Sequence, residues 1–108
     1  MVEVNFTDQA LTDIENIAAF IAKDSEKYAG IQVKRFFDRA EILETNPLFG
    51  KIVPELNDKS IRELLLGNYR IIYRIVTTKR IDILTIHSRF MLITNSPAFK
   101  KYRKKNIE

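Results

Sequence analysis

The chain has no cysteine and no tryptophan, one histidine, three glycines and three prolines among its 108 residues. Without cysteine, neither a disulfide framework nor a thiolate metal site can form. A lone histidine, His87, cannot build a multi-histidine metal centre either. No metal and no other cofactor is therefore expected. No apolar run approaches the roughly 20 residues that cross a bilayer, and the opening MVEVNFTDQ lacks the basic and then apolar succession of a secretory signal. A cytoplasmic protein without a membrane partner is the expectation.

What is present is ordinary for a folded domain: 45% hydrophobic and 30% charged residues, in a chain long enough to bury one core without staples. The net charge of +4 is unevenly placed. Residues 1–50 hold five Lys/Arg against nine Asp/Glu, a balance of −4; residues 51–108 hold thirteen against five, a balance of +8. Clustered cations gain affinity for an anionic partner by releasing its counterions, although a solvated basic face with no partner has the same composition.

Val2, Val4 and Phe6 alternate with Glu3 and Asn5, the period of a half-buried strand. Thr7 and Asp8 can cap a helix over 8–23, in which Ala10, Leu11, Ile14, Ile17, Ala18 and Ile21 form one stripe and Asp13, Glu15 and Lys23 face water. Ser25 can cap a second helix with Ala29, Val33, Phe36, Phe37, Ala40 and Leu43 as its stripe, ended by Asn46–Pro47. Phe36, Phe37 and Tyr28 read as core. Residues 47–60, with two prolines, a glycine and an Asn-Asp pair, read as a loop. Strands follow at about 61–66, 69–76 and 80–87, divided by Gly67–Asn68 and by Thr77–Thr78–Lys79, connections short enough to force antiparallel neighbours. Asn95–Ser96–Pro97 is a helix-start signal, and a basic tail from about residue 91 ends in the run KKYRKK.

The pattern is one α+β domain over 1–108: an N-terminal strand and an αα-hairpin packed on one face of a curved antiparallel β-sheet. Two helices cover one face, which leaves the other exposed or available for binding. Along 69–76, Tyr69, Ile71, Tyr73 and Ile75 suit the helical side, and Arg70, Ile72, Arg74 and Val76 take the opposite one. Arg62 can join these cations from the strand before, with His87 and Arg89 at the end of the strand after. Such arginines either find partners, for which Glu63 and Asp82 are near in sequence, or line an anion-facing groove. On an exposed face, Arg70→Ala is expected to change stability by less than about 1 kcal/mol.

IRELLLGNYRIIYRIV followed by RIDILTIHSRF resembles the signature of the RelE/ParE toxin superfamily, the plasmid stabilisation toxins of bacterial toxin–antitoxin pairs. TDQALTDIENIAAFIAKDS and ETNPLFGKIVPEL resemble the helical hairpin and connecting loop of its ParE branch, so the likeness spans about residues 3–90. It implies the same fold, a cognate antitoxin that wraps an acidic segment over the surface, and growth inhibition. The target it implies is DNA gyrase for the ParE branch, or messenger RNA on the ribosome for the RelE branch. Self-association into a homodimer stays open.

Under the nuclease reading, a metal-independent endoribonuclease, the resemblance places Arg70 on the scissile phosphate and Arg89 as a second functional arginine. Glu55 falls where YoeB-type members have a general base, and His87 is an alternative acid or base. Target contacts would come from Arg62, Arg74, Lys100, Lys101 and Arg103. The nuclease set is incomplete, because no tyrosine stands near Asn95, Tyr102 being the nearest, and Arg62 is followed by Glu63 where a basic pair is usual. Arg89–Phe90 replaces a His-Tyr ending. The expectation is a ParE-like, non-nuclease toxin; a non-toxic nucleic-acid- or protein-binding adaptor is the alternative from another class.

Overall fold

The computed structural model describes residues 1–91 and 96–99. Strand β1 (Glu3–Phe6) leads into helices α1 (Asp8–Ala22) and α2 (Glu26–Ala40) and a 3-10 turn at Glu41–Glu44. The short strand β2 (Lys51–Ile52) and the strands β3 (Ile61–Leu66), β4 (Tyr69–Thr77) and β5 (Arg80–Ser88) follow, with a further 3-10 turn at Pro97–Phe99. The five strands form one sheet in the order β1-β5-β4-β3-β2. The α+β architecture matches the sequence reading, with two amendments: Lys51–Ile52, in the stretch read as a loop, adds a short strand, and the sheet is mixed, because β1 lies parallel to β5. The chain leaves β1 through the helical hairpin and re-enters the sheet at the far edge, so only β5 remains to pair with it.

Each helix begins where its cap dictates. Thr7 accepts a bond from the Ala10 amide at 3.2 Å, and Ser25 accepts one from the Tyr28 amide at 3.1 Å, each satisfying a free donor of the first turn. Gly67 turns the β3–β4 hairpin with φ +57, where a side chain would be strained. The helix-side core joins Ala10 and Ile14 of α1 and Phe36 and Ala40 of α2 to Leu64, Ile71, Tyr73, Ile81, Ile83 and Ile86 of the sheet. Phe36 meets the Tyr69 ring edge-on at 5.2 Å. Two residues expected in this core lie outside it. Tyr28 is 66% exposed near the start of α2, and Phe37 sits at the rim against Phe6, centroids 4.6 Å apart. Both lie on the flanks of the α2 stripe rather than on its buried line.

Asp13 does not face water as its position suggested. β1 stops at Phe6, so the edge of β5 beyond Ile83 has no strand to pair with. Side chains take over there: Thr7 Oγ1 donates to the Ile83 carbonyl at 2.8 Å, and the Asp13 carboxylate accepts the Ile86 amide at 3.0 Å. Asp13 also accepts from the hydroxyl of Thr85, to which Ser96 Oγ donates at 3.1 Å. A register shift between β4 and β5 at Ile72/Tyr73 leaves Leu84 as the extra residue on β5.

The sheet face away from the helices is not bare. Val53, Ile61, Ile72 and Phe99 form a second buried cluster, with Leu56 and Leu84 packed against it. The 53–58 loop and the Pro97–Phe99 turn thus supply a thin second layer, assembled from segments too short to show a periodic pattern.

The two layers meet at the 47–51 segment. The buried Tyr73 hydroxyl accepts the Gly50 amide at 2.9 Å and donates to the Pro47 carbonyl at 2.8 Å, and burial pushes its ionisation above the ordinary value. A Cβ on Gly50 would lie 2.6 Å from the Glu63 carbonyl oxygen and 2.7 Å from the Tyr73 ring, closer than atoms pack. Gly50→Ala should therefore cost about 1–3 kcal/mol through overpacking. Tyr73→Phe, which strands the Gly50 amide and the Pro47 carbonyl, should cost a similar amount. Urea denaturation of both variants measures this, and a loss below about 0.5 kcal/mol in each would contradict the close approach.

Candidate functional site

Alternation along β4 sends Arg70 to the face opposite the helices, as expected, but the second layer closes over it. Its registered neighbours are Leu65 on β3 and His87 on β5. Only 6% of the residue is exposed. Two carboxylates enclose the guanidinium. Glu63, two residues along β3 from Leu65 on the same face, accepts from Nε at 2.8 Å and also from Nη2. Glu55, from the 53–58 loop, accepts end-on from Nη1 at 2.7 Å and from Nη2 at 2.9 Å. Nη1 also donates to the Met91 carbonyl at 3.5 Å. All five N–H donors of the fork are thereby directed at oxygens of the chain itself.

The hydrogen bonds that the guanidinium donates to Glu55 hold it charged, above its ordinary ionisation value and against the opposing effect of burial; Glu63 adds to this. Among the described residues, the donors of Arg70 are taken up by these carboxylates and the Met91 carbonyl rather than turned to a phosphate. In this arrangement the cluster fastens the 53–58 loop to the sheet.

The other sequence-derived candidates do not assemble around it as a cationic cleft. His87 is buried; its Nδ1–H donates to the Ser88 carbonyl at 3.0 Å, and its Nε2 has no partner among the described residues. Arg89 is exposed and braces the β3–β4 turn, its Nη1 donating to the Gly67 carbonyl at 3.3 Å and its amide to the Asn68 carbonyl at 2.8 Å. Arg62, expected beside Arg70, is on the helical face, since it pairs in register with Tyr73. It donates to the Gly50 carbonyl at 3.0 Å and so supports the 47–51 segment. Arg74 is exposed on the Arg70 face and makes no ion pair among the described residues; Asp82 across from it is held by Arg80 at 3.0 Å. Lys100, Lys101 and Arg103, like Asn95 and Tyr102, lie outside the described residues. The same residues contain no group of acidic or histidine side chains fit to hold a metal, and no helix long and apolar enough to cross a membrane.

Sequence reasoning missed a second feature, on the helical side at the open edge of β3. Arg39 donates from Nε to the Leu65 carbonyl at 3.3 Å and lies over the Phe49 ring at 5.4 Å. It divides two grooves. One, of 170 Å³, is floored by Phe49, Gly50 and Leu64–Leu65; the other, of 410 Å³, lies between Arg35, Arg39 and Ile42 of the helical layer and Leu66. The signal is present in the cations spaced four apart on the flank of the α2 stripe, Arg35 and Arg39.

With this geometry in place, comparison with known proteins decides the family. The family profile described as the ParE toxin of type II toxin-antitoxin systems, parDE, matches residues 4–93. The chain belongs to the ParE toxin family. A solved chain from the chromosomal ParDE TA system of P. aeruginosa shares the fold with a TM-score of 0.67, covering 82% of this chain and 96% of that one at 22% identity. No curated protein matches the sequence. For a ParE-family toxin, the assembly around Arg70 is notable in what it can do: it locks a loop, and it offers no vacant donor to a reacting phosphate.

The closed cluster reverses the expectation that Arg70 tolerates alanine. Arg70→Ala removes the buried cation that both Glu55 and Glu63 hold, which should cost about 3–5 kcal/mol. The triple change Arg70→Met, Glu55→Leu, Glu63→Leu should recover most of that loss, because apolar side chains replace a desolvated ion network at little net expense. Chemical denaturation of the two proteins side by side is the check. Equal stability of Arg70→Ala and the unaltered protein would refute the buried network.

Proposed function

We propose that this ParE-family chain is the toxin of a cytoplasmic toxin–antitoxin pair, that it arrests growth by binding and inhibiting DNA gyrase, and that a cognate antitoxin neutralises it. The observation behind the choice of a non-nuclease mechanism is the saturation of Arg70. Cleavage of RNA needs free cations aimed at the developing charge on phosphorus, together with an acid and a base. Here the arginine at the nuclease position spends its five donors on Glu55, Glu63 and Met91. Arg89 is engaged with the Gly67 carbonyl, and His87 is buried. The residues that would cut RNA are holding the fold together, so toxicity falls to a surface that recognises another protein. The excess of cations in residues 51–108 favours an acidic antitoxin segment as the neutralising partner.

Induced expression in a bacterial host tests this directly. Growth should stop, plasmid DNA should lose negative supercoiling, and messages should stay full length; purified toxin should inhibit gyrase supercoiling in a reconstituted reaction. Cleaved messages with normal supercoiling would replace this mechanism with ribosome-dependent RNA cleavage. Unimpeded growth would remove the toxin reading.

A further inference from the structure

The sheet edge farthest from β2 is formed by β1, and three bonds fix the phase of its backbone. The Glu3 amide donates to the Lys79 carbonyl at 2.8 Å and the Thr7 amide to the Ile83 carbonyl at 3.1 Å, both on the β5 side. The Val2 amide turns the other way and donates to the Glu44 carbonyl at 2.9 Å. In a parallel pair, alternate residues address the same neighbour, so Val4 and Phe6 turn their amides and carbonyls outward, away from β5. These groups have no backbone partner among the described residues. A strand edge in that state is a template for pairing with another chain.

Beside this edge lies a pocket of about 150 Å³, floored by Val4, Phe6, Phe37 and Ala40 and rimmed by Glu41 and Glu44. Neither carboxylate has an ion pair among the described residues. The cations of α2 are engaged elsewhere: Lys34 is held by Asp38 at 2.6 Å, and Arg39 donates to the Leu65 carbonyl on the opposite flank. Because α2 ends at Ala40, the negative end of its dipole adds to the charge of the rim. A pocket with this floor and rim accepts the apolar stem of one long cationic side chain and meets its charge at the mouth. Outward amides alongside select an extended segment as the carrier of that side chain.

The sign of the rim also discriminates between occupants. Two copies pairing through this edge would set Glu41 and Glu44 of each against those of the other. An acidic antitoxin segment or a nucleic-acid backbone meets the same repulsion. What remains is a basic segment of another protein. We propose that the β1 edge is the surface by which the toxin grips its protein target, with a basic segment of the target laid along Val4 and Phe6 and an arginine or lysine of that segment seated between Phe37 and the carboxylates of Glu41 and Glu44. The proposal rests on the gyrase reading above and deepens it by assigning the surface and the chemistry of the segment it holds.

The probe is purified gyrase holoenzyme in a supercoiling reaction, with the full toxin chain added. Glu44→Lys and Val4→Pro should each raise the half-inhibiting toxin concentration at least tenfold; proline at residue 4 removes an outward amide and spares the pairing with β5. Glu15→Lys, the same change of charge on the exposed face of α1, should leave it unaltered. Hydrogen exchange at the Val4 amide of the unaltered toxin, which requires no variant to fold, should slow at least tenfold when gyrase is bound. Full inhibition by folded Glu44→Lys together with unchanged exchange at Val4 would overturn this surface and leave the gyrase reading standing. Protection of Val4 that arises with the protein of the adjoining reading frame and not with gyrase would give the edge to the antitoxin, and protection that grows with the concentration of toxin alone would give it to a second copy; either overturns the proposal. Unaltered toxin that leaves supercoiling intact would instead remove the gyrase reading itself, and this surface with it.

Discussion

The structure depends on how one strand serves two layers. β4 is the central strand, and its alternation sends Ile71 and Tyr73 towards the helices and Arg70 and Ile72 towards the 53–58 loop. The apolar members settle by burial alone. Arg70 cannot, since a desolvated guanidinium requires partners at every donor, and it obtains them from Glu63 beside it and Glu55 above it. Specificity comes from that demand. The loop bearing Glu55 has no regular structure of its own, and the ion network specifies where it sits.

Much of the architecture is legible in the amino-acid sequence. Thr7 and Ser25 mark the helix starts, the three- and four-residue spacings from Ala10 and Ala29 mark the buried faces, and Gly67 marks the hairpin. These features are local, and local chemistry determines them. What stays hidden depends on distant partners. The second layer is built from Val53, Leu56 and Phe99, single apolar residues in segments with no period, and β2 is too short to carry one. Asp13 looks solvent-facing on a helical wheel because the wheel contains no information about where β1 stops. The side of the sheet occupied by Arg70 is legible from alternation, and Glu63 is legible as a nearby partner; Glu55 is not, because it reaches Arg70 from fifteen positions away.

The same contrast separates the two cationic regions. The arginines matched to nuclease positions are committed to internal work: Arg70 to the loop and Arg89 to the turn. The ones that pass as ordinary helix surface, Arg35 and Arg39, stand beside open space and apolar floor. Within this fold, where a cation stands and what it touches is more informative than its presence in a motif.

The parallel pairing of β1 with β5 governs when the molecule becomes complete. Residues 3–6 find their places only beside residues 80–83, and the Asp13 side chain engages the Ile86 amide 73 positions later. Such distant closures come late and slowly during folding. On the ribosome, a growing chain that has made its helical hairpin still lacks the neighbour of its first strand. The folded domain is thus withheld until residues 80–88 have been synthesised.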